Sequence, residues 1–88
     1  MPPSSVRYPL VMIEWTDASR LSDTWMDLAS IPEPYVHRCV SVGFVVSENE
    51  HGKILVPTIG DLSHPENSHT YGGMLIPTSA ILREKVLR

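Results

Sequence analysis

The 88-residue sequence has a single cysteine, Cys39, and a single phenylalanine, Phe44. One cysteine cannot form a disulfide within the chain, and small secreted domains usually depend on disulfides. No apolar stretch approaches the ~18 residues that a membrane-spanning helix needs, and no basic segment followed by an apolar one resembles a secretion signal. The sequence therefore predicts a cytoplasmic protein without a membrane partner.

Basic residues are also scarce, with seven Lys and Arg against ten Asp and Glu and a net charge of −3. Five of the acids lie within residues 1–35, whereas the charged residues among the last dozen are three bases and one acid. Binding to duplex DNA requires a dense basic face, which this composition does not supply. The charge pattern argues against duplex DNA as a partner and leaves room for a small local anion site.

Eight prolines and five glycines argue against long helices and favour short strands joined by turns. A Pro/Ser-rich leader is expected to be disordered over residues 1–5, followed by one β-barrel domain over 6–88. Alternation of apolar and polar residues predicts five strands. These strands cover residues 8–15, 36–47, 53–59, 70–76 and 81–87.

The first and second strands are separated by a long connection, residues 16–34. Asp23 or Ser22 is suited to cap a short helix over residues 24–30, and Pro32 and Pro34 would end it. A tight hairpin at 48–52 and one helical turn at 77–80 complete the scheme. The fold predicted is mainly β, a small five-stranded SH3-like or Sm-like barrel, or a strongly bent sheet, with one long helix-containing loop after strand 1. The alternative is an α+β fold in which the loop helix packs on a curved sheet.

The second strand has two apolar faces at Val45 and Val46, and the interior of one barrel covers only one face of a strand. We therefore expect a homo-oligomer, which would also hide an open strand edge. The more apolar face of the second strand is predicted to point inward. The predicted core is Val40, Val42, Phe44, Val46, Leu55, Leu75, Ile76 and Ile81.

Three short motifs resemble a loose group of small phage- and prophage-encoded proteins of unassigned function. They are IEWTD at 13–17 with a second tryptophan at Trp25, SVGFVV at 41–46, and IPTSAI at 76–81. The resemblance touches most of residues 10–87, and no site residue is carried over from it. It implies a role in the cytoplasm of a bacterial host, where the protein would bind a host protein, antagonise a defence system or sequester a small nucleotide-like signal.

Chemistry is expected from few of the side chains. His64 and His69, with Asp61 and Glu66, form the one cluster of metal-ligand types, yet it lacks a cysteine pair or a helical His-Glu-x-x-His pattern. They are weak candidates, and no metal and no cofactor are predicted. Cys39 and His37 have no third residue beside them to orient a base. A non-enzymatic protein is predicted.

The predicted binding site lies on the two longest loops, because loops carry function more often than strands do. Its aromatic residues would offer flat apolar contacts, its glycines would admit a ligand to the backbone, and Arg20 would pair with an anionic group. The residues are Trp15, Asp17, Arg20, Trp25, Tyr71, Gly72 and Gly73. The alternative is that the tryptophans anchor the loop on the core, the glycines form a bulge, and Arg20 only offsets nearby acids.

These features predict a non-enzymatic small binding protein, phage-derived, that antagonises a host defence system by binding a host protein or by sequestering a nucleotide-like signal. An Sm-like RNA-binding ring is the first alternative, although the excess of acids weakens it. A small metal-dependent hydrolase is the second alternative, and only the loop between His64 and His69 supports it.

Overall fold

A computed structural model describes residues 8–18, 21 and 23–88, and over these residues the protein is mainly β. The leader predicted at residues 1–5 lies outside them. Seven strands are present: β1 Leu10–Asp17, β2 His37–Glu48, β3 Gly52–Val56, β4 Ile59–Gly60, β5 His69–Thr70, β6 Met74–Pro77 and β7 Ile81–Val86. Three single 3-10 turns occupy Leu28–Ser30, Pro65–Asn67 and Thr78–Ala80. None of the described residues belongs to a helix that is long and apolar enough to cross a membrane.

Five strands form an antiparallel sheet in the order β6-β3-β2-β1-β7, and β4 pairs with β5 in a separate ribbon. Among the described residues β6 and β7 stay unpaired edges, so the prediction of a closed SH3-like or Sm-like barrel is wrong. The third and fourth predicted strands break after Val56 and at Gly72, where φ is +77°. The shortened strands have few backbone groups that could form the hydrogen bonds between β6 and β7 needed to close a barrel, and Pro77 at the end of β6 has no N–H to donate. The helical turn before the last strand is confirmed at Thr78–Ala80.

The helix predicted over residues 24–30 is also wrong. Only Leu28–Ser30 forms a 3-10 turn, and the side chain of the preceding Asp27 makes no capping hydrogen bond. Residues 23–36 are all exposed, so they bury little against the rest of the chain and a helix there would gain little stability from packing. Because isolated helices of one or two turns are unstable in water, the connection does not become helical. The α+β alternative fails for the same reason.

The sheet is bent so that its inner face encloses the core. Buried side chains from β1, β2, β3 and β6 form one cluster, with Trp15 and Ile81 packed against it. The cluster consists of Val11, Ile13, Val45, Leu55 and Ile76. Gly43 makes the bend in β2 compatible with this packing, because a Cβ atom there would lie 2.8 Å from the carbonyl oxygen of Val56.

The inner face of β2 is the opposite of the one predicted. Val40 and Val42 are 60% and 54% exposed and Leu75 is 66% exposed, while Phe44 and Val46 are half-buried. Burial of Leu55 and Ile76 is confirmed, and Ile81 is partly buried. The concave side of a tight bend has little room, so β2 turns its small residues inward. The small inward residues of β2 are Cys39, Ser41 and Gly43.

An ion pair joins the two halves of the bent sheet. Lys53 Nζ of β3 lies 2.5 Å from Glu84 Oε1 of β7 and 3.1 Å from Glu48 Oε2 of β2. The hydrogen bond to Glu84 raises the pKa of Lys53, with a smaller opposing effect of desolvation. Since β3 and β7 are not neighbours in the sheet, this contact shows how closely the bend brings them together.

Candidate binding site

The residues predicted for the first half of the site are divided between the core and the solvent. Trp15 is half-buried against the core, and its Nε1 donates a 3.0 Å hydrogen bond to Ser41 Oγ. Asp17 ends β1 opposite His37 and is exposed. Arg20 lies outside the described residues. Trp15 therefore has the anchoring role that was the alternative to ligand contact.

Trp25 lies in the segment that joins β1 to β2, called the connecting segment here and comprising residues 18–36. Its side chain is 98% exposed, and Leu28 beside it is 88% exposed. The segment contains seven large apolar side chains that are exposed: Leu21, Trp25, Met26, Leu28, Ile31, Tyr35 and Val36. Burying one such side chain is worth roughly 1.5–3 kcal/mol, so this is a large apolar surface left in water. A run of this kind, rather than isolated apolar residues, marks an interaction site.

Tyr71, Gly72 and Gly73 form the turn between β5 and β6. The positive φ of Gly72 explains one glycine as a requirement of the turn. A Cβ atom at Gly73 would lie 3.2 Å from Val56 Cγ1, so packing explains the second. Tyr71 is 86% exposed, and with Trp25 almost fully exposed as well the two rings do not pack together. The structure does not join the two halves of the predicted site into one pocket.

The polar loop between β4 and β5 is held by contacts within itself. His64 Nδ1 lies 3.0 Å from Asp61 Oδ1, and His69 Nδ1 lies 3.1 Å from the carbonyl oxygen of Asn67. Ser68 Oγ donates to the carbonyl oxygen of Asp61. The two histidines thus have separate partners, and the described residues contain no group of three or more His, Cys, Asp or Glu placed to hold a metal ion.

A shallow cavity of about 170 Å³ opens beside the β4–β5 ribbon. It is lined by Tyr8, Val46, Ile59, Ser68, His69 and Thr70. Pockets that enclose a small organic ligand usually measure about 300–1,000 Å³. This cavity is therefore small for a nucleotide.

The outward side of β1 and β2 carries an apolar patch, and two of its residues, Val40 and Val42, were predicted to lie in the core. Met12 lies opposite Val42, and Val40 follows Val42 on the same side of β2. We call Met12, Val40 and Val42 the open face. The open face could have been identified from the small residues at 39, 41 and 43 on the other side of β2, because small side chains suit a concave surface.

Charged side chains border the open face. Glu14 is opposite Val40, and Arg38 Nη2 and Arg83 Nη2 approach its two oxygens at 2.6 and 3.5 Å. The hydrogen bond from Arg38 lowers the pKa of Glu14. Lys85 of β7 is in register with Met12. Three cations and one carboxylate give this border a net charge of +2.

Comparison with known proteins adds no relative: no protein-family model, no curated protein and no solved structure matches the chain. The resemblance to small phage proteins therefore stays a prediction.

Proposed function

We propose that this is a non-enzymatic binding protein that recognises another protein through its connecting segment. The observation that carries this proposal is the exposure of Trp25 and Leu28, which lie three residues apart in a segment with several other exposed apolar residues. Tryptophan is enriched among the residues that contribute most to protein–protein affinity. Truncating such a side chain lowers the affinity of the protein for its partner, so the proposal can be tested directly by substitution.

The charge of the connecting segment favours a protein over a nucleic acid. The segment contains Asp23, Asp27 and Glu33 with Arg20 as its one base, a net charge of −2. This charge would repel a phosphate backbone, whereas it suits an apolar groove with a basic rim. The cavity beside the ribbon, within the described part of the chain, is small for a nucleotide-like signal, and the charge and apolar exposure of the connecting segment favour a protein partner.

Ion pairs hold the sheet that presents the connecting segment. The pKa of Glu14 is lowered and the pKa of Lys53 is raised, and in each case a hydrogen bond to an ion-pair partner is the main cause. These two charged groups are therefore accounted for by contacts within the sheet.

We further propose, from the resemblance to phage proteins, that the partner is a bacterial host protein and that binding antagonises a defence function in the cytoplasm. Antagonism of this kind needs only an occupied surface on the target. A segment of 19 residues with seven exposed apolar side chains is large enough to occupy one.

Affinity capture from bacterial extract tests the proposal. The immobilised protein would be compared with a Trp25→Ala/Leu28→Ala double variant and with Tyr71→Ala, which removes an equally exposed aromatic ring from another loop. We expect one or a few extract proteins at near-stoichiometric yield on the parent and on Tyr71→Ala, and their loss on the double variant. Equal retention by all three, or no specific retention, would contradict the proposal.

A further inference from the structure

We propose that two copies of this chain bind each other reciprocally, with the connecting segment of each copy lying on the open face of the other. The inference rests on the proposed function because it uses the same segment, and it adds a second copy of this chain as a specific occupant. Its two surfaces are on the same hairpin, since the segment joins the paired ends Asp17 and His37.

The two surfaces complement each other in polarity. Val42 and Val40 are more than half exposed on the open face, and Trp25 and Leu28 are nearly fully exposed on the segment. Each copy therefore leaves two apolar surfaces in water. A contact between the segment of one copy and the open face of the other would cover one surface of each kind. Large contiguous apolar surfaces on small soluble proteins usually have such a partner.

The two surfaces also complement each other in charge. The open face has a border of net charge +2, supplied by Arg38, Arg83 and Lys85 against Glu14, and the segment has a net charge of −2. Face against face would bring two positive borders together, and segment against segment would bring two negative ones together. Opposite charges meet only when a segment lies on a face. Charge therefore favours this arrangement over face-to-face and segment-to-segment pairing.

The dimensions allow the exchange. A segment of 19 residues that leaves and returns to one hairpin end can reach about 30 Å from it, at ~3.3 Å per extended residue. The open face and its border at Arg38 extend along five residues of β2, from Arg38 to Val42, or about 13 Å. Two identical contacts of this kind close around a two-fold axis, so the assembly stops at a dimer.

The segment does not cover the open face of its own copy. Trp25 is 98% exposed and Val42 is 54% exposed in the same chain. Pro32 and Pro34 favour extended backbone just before β2 begins, so the segment does not continue the hairpin as a helix. A second copy is therefore the occupant that fits both surfaces.

Complementation between two variants tests this exchange. Trp25→Ala/Leu28→Ala removes the segment contact, and Val42→Asp places a charge on the open face at an exposed position. Analytical ultracentrifugation over a micromolar series would compare each with the parent. We expect a parent dimer and, for either variant alone, a dissociation constant raised about thirtyfold or more, as for residues at the centre of an interface.

The decisive sample is an equimolar mixture of the two variants. In a reciprocal exchange the intact segment of one variant meets the intact face of the other, so one of the two contacts is restored and a heterodimer forms. Face-to-face association would leave the segment variant dimeric, and a segment that folds back on its own copy would give no recovery on mixing. Either result overturns the proposal, as does a parent that stays at 9.8 kDa throughout the series.

Matched controls separate this result from loss of folding. Leu75→Asp alters another exposed apolar strand residue, and Tyr71→Ala another exposed aromatic one; both are expected to dimerise like the parent. Should Val42→Asp unfold, Lys85→Glu serves as the second face variant, with weakening that diminishes as salt rises. Dimerisation is measured on purified protein, so its failure is distinguishable from failure to capture a host protein.

Discussion

The inner face of the bent sheet and the connecting segment differ in a way that hydrophobicity alone does not explain. The inner face of β2 presents Cys39, Ser41 and Gly43, yet it closes over a core from which water is excluded. The connecting segment presents Trp25 and Leu28, which are far more apolar, and both stay in water. Residues of the first region are buried because of their position in the bent sheet. Residues of the second region are exposed because the connecting segment does not pack on the sheet of its own chain.

The comparison separates residues that stabilise the fold from residues available for binding. A side chain on the inner face affects the free energy of unfolding and has no access to a partner. A side chain on the connecting segment has the opposite properties. Substitutions in the two regions should therefore affect different measurements.

The largest effect on stability is expected at Ile13, which is 0% exposed. Ile13→Ala should lower the free energy of unfolding by about 2–5 kcal/mol, because it leaves a cavity in the centre of the cluster. Val42→Ala, the matched control on the outward side, should cost far less. Urea denaturation followed by circular dichroism measures both. Equal losses would show that the faces of the hairpin are assigned wrongly.

Gly43→Ala should come next, with a loss of about 1–3 kcal/mol from overpacking. A Cβ atom at this position would meet the backbone carbonyl oxygen of Val56 at 2.8 Å and Leu55 Cγ at 2.9 Å, and the backbone cannot move without opening the bend. Gly73→Ala should cost less, because the nearest atom there, Val56 Cγ1, is a side-chain atom at 3.2 Å rather than a backbone atom at 2.8 Å. A Gly43→Ala protein as stable as the parent would mean that the sheet is less bent than described.

A smaller loss, about 0.5–1.5 kcal/mol, is expected for Trp15→Phe. The phenyl ring keeps contact with the core but lacks the Nε1 donor that bonds to Ser41 Oγ. Ser41→Ala removes the other half of the same bond, so the double variant should lose less than the sum of the single losses. Strictly additive losses in thermal unfolding would show that the two side chains do not interact.

The pH dependence of stability should change in Glu14→Gln. The hydrogen bond from Arg38 lowers the pKa of Glu14 from 4.5. A lowered pKa in the folded state adds stability that is fully present above the unfolded value and is lost as pH falls through the folded value. The difference between parent and variant should therefore shrink as pH falls below about 4.5. Arg38→Gln should reproduce the effect, and a gap independent of pH would argue against this ion pair.

The smallest effect on stability is expected for Trp25→Ala, within about 0.5 kcal/mol of the parent, because the side chain is 98% exposed. The same variant should weaken partner binding most. Thermal unfolding at low protein concentration, where a dimer dissociates, measures the stability of the single chain. A large loss there would show that the connecting segment packs on its own sheet.

Local sequence pattern predicted the strands well where alternation was uninterrupted. β2 was predicted at 36–47 and lies at His37–Glu48, and β7 was predicted at 81–87 and lies at Ile81–Val86. The helical turn at Thr78–Ala80 was also predicted correctly. These elements depend on neighbouring residues and on backbone preferences, which a sequence displays directly.

The exposure of the predicted site residues could be foreseen only in part, because exposure is not a local property. Trp25 and Tyr71 were expected on accessible loops and are exposed there, whereas Trp15 was placed in the same site and packs on the core. The open face was missed, since Val40 and Val42 were expected inside. Nothing in a strand's alternation says which of its two faces will be concave.

Local pattern was enough to predict a mainly β chain, most strand positions and an acidic, tryptophan-bearing connection between the first two strands. The open sheet, the inward small residues of β2 and the non-helical connection became evident only in the assembled fold. All three have the same cause. Closure, curvature and helix stability depend on contacts between residues distant in sequence, and those contacts exist only once the strands have assembled.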